Sequence, residues 1–241
     1  MLETPDLPDI AGFSSVFPSL APLHGFGAIA PLRGVSIAKG SLRVGSSFDP
    51  VARVRESLEE SARVKRGVAE GLSEEIARAG GWVAEAFRSG GKVLLFGNGG
   101  SASDAQHIAT EWTGRLTRDR PALPALALTA NSSDLTAIGN DYGFDRLFAR
   151  LIEAHGVTGD IAIAISTSGN SPNALAAIDE AARRGMQTIG LLGKGGGKLA
   201  GRVDLPLVVP SDDTQRVQES HIAILHTIAE VVDEILYPED V

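Results

Sequence analysis

Apolar residues between positions 92 and 236 follow two patterns that alternate along the chain. Short runs that are apolar throughout, such as KVLLF at 92–96 and DIAIAI at 160–165, are separated by longer stretches with apolar residues at helical spacing. The first pattern indicates strands buried on both faces, and the second indicates amphipathic helices. Strands are predicted at 92–96, 124–129, 160–165, 187–192 and 205–209, and helices at about 101–116, 133–138, 144–155, 172–184 and 214–236.

This alternation predicts an α/β fold, a three-layer α/β/α sandwich with a central parallel sheet. Ligands of such sheets bind beyond the carboxyl ends of the strands. Two N-terminal helices are predicted to precede the sheet. The first has Asp49 as its N-cap and Pro50 at its first helical position, and the second has Ser73 as its N-cap.

Residues 1–47 are rich in Pro, Gly and Ser and show no sustained helical or strand period. They are predicted to form a flexible N-terminal extension. Residues 48–241, including the two predicted helices, then form one domain, which agrees with the length of the chain.

Composition excludes several classes of function. The net charge of −8 argues against a nucleic-acid-binding protein that surrounds phosphates with a basic surface. The chain has no cysteine, so disulfides, thiolate zinc sites and cysteine nucleophiles are excluded. No apolar run approaches the roughly 20 residues that cross a bilayer, and the acidic start MLETPDLPDI lacks the basic residues of a signal peptide. The protein is therefore expected to be soluble and cytoplasmic, with neither a membrane nor a nucleic acid as partner.

Two loops, GNGGS at 97–101 and STSGNS at 166–171, each lie between a predicted strand and a predicted helix. Glycine lets the backbone approach a ligand closely, and the free N–H groups at a helix start favour an anion. The second loop adds four hydroxyl groups without charge, and Pro172 then starts a helix. Neither loop matches a Walker or GxGxxG motif. An ordinary capped turn is the alternative to a phosphate-binding loop, and two loops suit either one ligand held at both ends or two neighbouring sites.

Candidate chemistry lies on the helices that follow. His107 and Glu111 are four residues apart and share a helix face, so they can hold a metal or act as an acid/base pair. The stretch QRVQESHIAILH near the C-terminus adds Gln218 and His226, which lie about 12 Å apart along a helix axis. One metal can join these two residues only if their side chains lean together. Otherwise one of them serves another subunit. A solvated face for His107 and Glu111 and a core position for His226 are the alternatives.

Five segments together resemble the phosphoheptose isomerases, which convert sedoheptulose 7-phosphate and belong to the sugar isomerase (SIS) domain superfamily. They are GNGGSASDAQHIATEWTGR, GNDYGF, STSGNS, GKGGGKLAG and QESHIAILH. The resemblance extends from about residue 50 to 237, and the extension at 1–47 has no counterpart in the family. STSGNS alone would indicate only the superfamily.

The resemblance implies a flavodoxin-like SIS domain that forms homotetramers, whose sites draw on neighbouring subunits. It implies one zinc ion per subunit, held by His107, Glu111, Gln218 and His226, with Glu111 and His226 as the catalytic acid/base pair. It also implies a sugar-phosphate substrate bound by Asn98, Gly99, Gly100, Ser101, Glu111, Asn140, Asp141, Ser166, Thr167, Ser168, Ser171 and Gln218. The implied reaction yields D-glycero-D-manno-heptose 7-phosphate through a cis-enediol, in nucleotide-activated heptose biosynthesis.

Two other functions occur within this superfamily. Some relatives are non-catalytic tetramers that bind the bacterial replication initiator, and they lack the residues that match Glu111 and His226. Other SIS enzymes act on amino-sugar phosphates and usually lack the His-Glu and Gln-His set. This chain carries all four residues, which favours the isomerase.

Overall fold

The structure, a computed structural model, describes residues 48–238 and the backbone of two short strands, β1 (Val35–Ala38) and β2 (Ser41–Val44). These two strands pair antiparallel, so part of the N-terminal extension has strand structure that its composition did not indicate. The rest of the extension lies outside the described residues, and its flexibility stays a prediction. By its internal contacts the chain divides into two units, Met1–Val51 and Ala52–Val241.

The larger unit is built around a five-stranded sheet in which every pair of neighbouring strands is parallel. The strands are β3 (Val93–Gly97), β4 (Ala125–Ala127), β5 (Ile161–Ser166), β6 (Gln187–Leu192) and β7 (Leu205–Val208). Their order across the sheet is β4-β3-β5-β6-β7. Strand β4 is half as long as predicted because it lies at the edge and pairs with β3 through three residues only.

Helices cover both faces of this sheet. They are α1 (Pro50–Arg88), α2 (Gly100–Thr113), α3 (Ser132–Tyr142), α4 (Leu147–His155), α5 (Pro172–Arg183) and α6 (Thr214–Leu236). Alternate residues of β3 show the layering. Val93 and Leu95 pack in the core formed with α1, α2 and α6, whereas Leu94 and Phe96 pack in the core formed with α4 and α5. The predicted three-layer sandwich is confirmed. None of the helices in the described part of the chain has the length and apolar content that a membrane crossing requires.

The prediction of two N-terminal helices is wrong, because α1 is a single helix of 39 residues. Ser73 does not cap a second helix. Its hydroxyl donates to the Ala69 carbonyl at 2.6 Å, one turn back within the same helix. The physical reason is packing, since buried Val68 and Ile76 lie on one side of α1 and continue its apolar stripe past Ser73. Burial of that stripe outweighs the local capping signal.

The strand order reverses at β3, because the strands that follow it in the chain lie on opposite sides of it. From β3 the chain passes through α2 to β4 on one side, and it then crosses back to β5 on the other. Ligand sites of doubly wound sheets form at such a switch point, outside the carboxyl ends of the two strands. The two glycine- and serine-rich loops follow β3 and β5, and both therefore start at this crevice.

Candidate functional site

The two loops are tied to each other by a pair of amide side chains. Asn98, in the loop after β3, exchanges two hydrogen bonds of 2.9 Å with Asn173 in the first turn of α5. Asn173 is buried and Asn98 is half-buried. The sequence predicted Asn98 as a substrate-binding residue, but its side chain is engaged by Asn173. Sequence analysis missed Asn173, because a residue that follows a helix-starting proline looks like an ordinary first-turn residue.

The loop at 166–171 is held by short hydrogen bonds of its own. The hydroxyls of Ser166 and Ser171 are 3.2 Å apart, and the Ser166 hydroxyl accepts from the Gly169 backbone N–H at 3.1 Å. The Ser168 hydroxyl accepts from the backbone N–H of Asn170 at 3.2 Å. These contacts draw two of the predicted phosphate-binding hydroxyls, those of Ser166 and Ser171, onto one side of the turn. Thr167 and Ser168 are half-buried beside them.

A second glycine-rich segment, residues 193–201, forms a wall behind this loop. Gly169 has a φ of +63°, and a Cβ atom there would lie 1.9 Å from the Gly196 carbonyl oxygen. The Gly169 carbonyl accepts from the Leu199 N–H, and the Asn170 side chain accepts from the Lys198 N–H. Only glycine fits at position 169, since any side chain would be strained and would collide with this wall.

Helices α2 and α6 lie side by side and run in the same direction. Their contacts follow the same order along both helices, with Gly100 beside Gln218 and His107 beside His226. The first contact is so close that a Cβ atom on Gly100 would lie 2.1 Å from the Gln218 amide nitrogen. A larger residue at the start of α2 would therefore displace the Gln218 side chain from its present position.

His107, Glu111 and His226 converge between these helices. The Nε2 atoms of the two histidines are 3.0 Å apart, and His107 Nε2 lies 3.3 Å from Glu111 Oε1. One ligand atom from each residue lies within 4.8 Å of the others. His226 and Glu111 are half-buried and His107 is about half exposed, so the cluster borders solvent. The structure thus joins residues that the sequence could place only on two separate helices.

The chemistry of this cluster fits a zinc ion. Two imidazoles and one carboxylate supply the nitrogen and oxygen ligands that zinc accepts, and three protein ligands leave a coordination position open for substrate. Both Nε2 atoms and the carboxylate oxygen point toward a common region, as metal ligands must. His107, Glu111 and His226 are the residues that would hold such an ion.

No described contact joins Asn140 or Asp141 of α3 to this cluster, and Gln218 precedes His226 by eight residues on α6. Gln218 lies beside Gly100 and lines a cavity of about 340 Å³ with Gln215 and Glu219. Asn140 and Asp141 are exposed on α3, and their side chains hydrogen-bond to each other at 2.8 Å. No described contact brings Asn140 or Asp141 to the loops or to the histidines. Their predicted roles, and that of Gln218 as fourth ligand, stay predictions.

Asp104 lines the same cavity as Gln218, and sequence analysis missed it. Burial raises the pKa of the Asp104 carboxyl to about 6, while the charge of His107 acts in the opposite direction. One of its carboxylate oxygens has no hydrogen-bond partner among the residues that the structure describes. The available signal was spacing, since Asp104 precedes His107 by three residues and Glu111 by seven and so lies on the same helix face.

The buried histidine of α6 is His221 rather than His226. His221 is 0% exposed, and within residues 48–238 neither ring nitrogen has a hydrogen-bond partner of good geometry. Burial lowers the pKa of His221 to about 4, which the nearby Leu192 backbone partly offsets. The core position considered for His226 is therefore occupied by its neighbour, and His226 is free to face Glu111 and His107.

Comparison with known proteins agrees with this geometry. The model of the SIS domain matches residues 58–193. A phosphoheptose isomerase from Citrifermentans bemidjiense is 55% identical over 146 residues, which cover 61% of this chain and 76% of that protein. The chain belongs to the phosphoheptose isomerase family of SIS-domain enzymes. The predicted family and enzyme class, an isomerase, are thereby confirmed.

Solved structures of this family have the same fold. The phosphoheptose isomerase from Neisseria gonorrhoeae is 42% identical with a TM-score of 0.74, and it covers 77% of this chain and 100% of its own. The enzyme from Francisella tularensis is 37% identical with a TM-score of 0.75, and it covers 78% of this chain and 100% of its own.

Proposed function

We propose that this isomerase converts sedoheptulose 7-phosphate to D-glycero-D-manno-heptose 7-phosphate in nucleotide-activated heptose biosynthesis. The observation that carries the proposal is the convergence of His107, Glu111 and His226 between α2 and α6. Relatives more than 50% identical over most of their length are named phosphoheptose isomerases, which supports the heptose substrate.

The loops bind the phosphate of this substrate. Hydroxyls of Ser166, Thr167, Ser168 and Ser171 donate to its oxygens, and the Ser101 hydroxyl in the first turn of α2 adds another donor. His107 lies seven residues beyond Gly100, a rise of about 10 Å along α2. The phosphate is thus held at a distance from the reacting carbons, and its binding energy fixes their position.

Glu111 and His226 move the protons of the reaction. Glu111 removes the proton from the carbon beside the carbonyl and returns it to the neighbouring carbon, which passes the sugar through a cis-enediol. His226 shuttles the proton between the two sugar oxygens. A zinc ion held by His107, Glu111 and His226, with Gln218 as fourth ligand, would stabilise negative charge on those oxygens as a Lewis acid.

A homotetrameric, cytoplasmic enzyme is the form in which we expect this activity. Val54 and Leu58, one turn apart on α1, are 60% and 65% exposed, and such apolar side chains favour contact with another subunit. Neighbouring subunits could also bring Asn140 and Asp141 to the site.

Incubation with sedoheptulose 7-phosphate in deuterated water tests the proposal. We expect NMR spectra to show heptose 7-phosphate and deuterium at C1 or C2 of the recovered sugars, because Glu111 exchanges its proton with solvent in the enediol state. Unphosphorylated sedoheptulose is the matched control and should turn over far more slowly. If no phosphorylated ketose is isomerised or exchanged, a non-catalytic SIS protein that binds the replication initiator becomes the better assignment.

A further inference from the structure

One side chain bridges the two helices that carry the His107, Glu111 and His226 cluster. Arg120 follows α2 in the chain, and its side chain is only 1% exposed. Its Nη2 donates to the carbonyl of Glu111 itself at 2.8 Å, and its Nη1 donates to the Trp112 carbonyl at 2.8 Å. Arg120 therefore holds the last turn of α2 at the residue that carries the carboxylate of the cluster.

The other side of the same guanidinium holds α6. Arg120 Nε donates to Asp233 Oδ1 at 2.8 Å, and the side chain of Asp233 is 5% exposed. Asp233 lies seven residues beyond His226, which places both residues on the same face of α6 about 10 Å apart. Contacts along the helix pair thus run from Gly100 and Gln218, through His107 and His226, to the bridge made by Arg120.

Arginine is required for this bridge by its shape. A planar guanidinium can donate to a carboxylate through one edge and to backbone carbonyls through the others, which a lysine ammonium cannot do. Its positive charge also lies at the C-terminus of α2, where a cation is favoured. Among the described residues, Arg120 is the hydrogen-bond partner of the buried Asp233 carboxylate, whose other oxygen has none, so this carboxylate depends on Arg120.

We infer that Arg120 is a positioning residue, which through Asp233 sets the spacing of α2 and α6 at which His107, Glu111 and His226 can share one metal ion. The inference rests on the zinc site of the proposed function. It assigns to Arg120 no contact with substrate or metal. The cluster residues lie on different helices, so a small shift between those helices would separate the histidines without unfolding either helix.

Zinc affinity of the full chain tests this inference, measured by competition with a chelating dye. Arg120→Lys keeps the charge but loses the bridge, and we expect its zinc dissociation constant to rise about 10–100-fold, as for other outer-shell partners of metal ligands. At saturating zinc, kcat should fall while KM for the sugar phosphate changes little. Asp233→Asn keeps the shape of the partner and should show a smaller rise, and it decides the question if Arg120→Lys does not fold.

Arg184→Lys is the matched control. Like Arg120, Arg184 joins a carboxylate to a backbone carbonyl at the end of another helix. Its Nε donates to Glu180 Oε1 at 2.9 Å, and its Nη1 donates to the Gly156 carbonyl at 3.1 Å. These contacts link α4 and α5 rather than α2 and α6. Arg184→Lys should lose stability without any change in zinc affinity. Wild-type affinity in the folded Arg120 and Asp233 variants would overturn the inference, as would an equal loss in Arg184→Lys.

The wild type separates this inference from the proposed function. If it isomerises the sugar but binds no zinc, the positioning role fails and the isomerase stands. A second outcome is that the wild type binds zinc, that the Arg120 and Asp233 variants bind zinc more weakly, and that no ketose phosphate is isomerised. In that case the positioning role stands and the proposed substrate fails.

Discussion

The loop after β5 and the face between α2 and α6 are built in opposite ways. Residues 166–171 carry uncharged hydroxyls, and the serine hydroxyls among them make hydrogen bonds with near neighbours in the sequence. The helix face carries ionisable groups, and its central contact joins His107 to a residue 119 positions away. Binding groups here are local, whereas reactive groups depend on how two helices pack. Substitutions on the face should therefore change the rate of reaction, and those in the loop should change affinity.

Glu111→Gln should have the largest effect on catalysis. The amide keeps the shape of the side chain but cannot accept the carbon-bound proton. General base catalysis typically contributes about 10²–10⁴-fold, so kcat for sedoheptulose 7-phosphate should fall by at least that factor. KM should change little, since the loops are intact, and deuterium should no longer enter the recovered sugar.

Glu153→Gln is the control for this substitution. Glu153 is an exposed carboxylate that pairs with Arg150 on α4, on the other face of the sheet, so its replacement should leave kcat unchanged. Near wild-type turnover by Glu111→Gln would show that another residue is the base. The contrast between a binding loop and a reactive helix face would then lose its support.

The same contrast explains how much the sequence could predict. Strands β5 and β6 were placed within one residue, because burial on both faces leaves a continuous apolar pattern that only Ser166 at the end of β5 and Gln187 and Thr188 at the start of β6 depart from. The loop hydroxyls were also predictable, since they are adjacent in the chain. The start of a second helix at Ser73 was not, because a capping signal is local and the packing of α1 overrides it.

Within the site, local patterns found the helix faces but not their contacts. The spacing of His107 and Glu111 indicated one face of α2, yet nothing in the sequence shows that His226 meets them 3.0 Å away. Arg120 and Asp233 look like ordinary surface charges, and only tertiary structure buries them together. The family resemblance predicted that His107, Glu111 and His226 act together, which the spacing of residues along the chain does not show. It also named Asn140 and Asp141, which no contact in the described part of the chain brings to the cluster.

Ser168→Ala should have a smaller effect, on affinity rather than rate. Loss of a hydrogen bond to a charged group costs about 1.5–3 kcal/mol, so KM for the phosphorylated sugar should rise about 10–100-fold with little change in kcat. Ser211→Ala is a close control, because Ser211 also accepts from a backbone N–H two residues ahead at 3.2 Å. An unchanged KM in Ser168→Ala would mean that this hydroxyl only shapes its own turn.

His221→Gln should have the smallest effect on catalysis and should instead change how stability depends on pH. His221 lies on α6 beside the backbone of Leu192. Leu192 is the last residue of β6 and pairs with Ser166, so His221 is located where the helix face meets the loop. At pH 7.5 the imidazole is neutral in both folded and unfolded chains. The variant should then keep its kcat and KM.

Acid should separate the variant from the wild type. The pKa of His221 is lowered from 6.5 to about 4 in the folded chain, so between these values the unfolded chain binds the proton more readily. The wild type therefore loses stability as pH falls from 6.5 toward 4. At about 1.4 kcal/mol per pH unit, this loss reaches about 2–3 kcal/mol at pH 4.5. Glutamine does not titrate, so in urea unfolding the stability advantage of the wild type over His221→Gln should shrink by that amount between pH 7.5 and pH 4.5. A difference that stays constant would show that His221 accepts a proton in the folded chain at no cost, and the region joining the helix face to the loop would then be more open than its burial indicates.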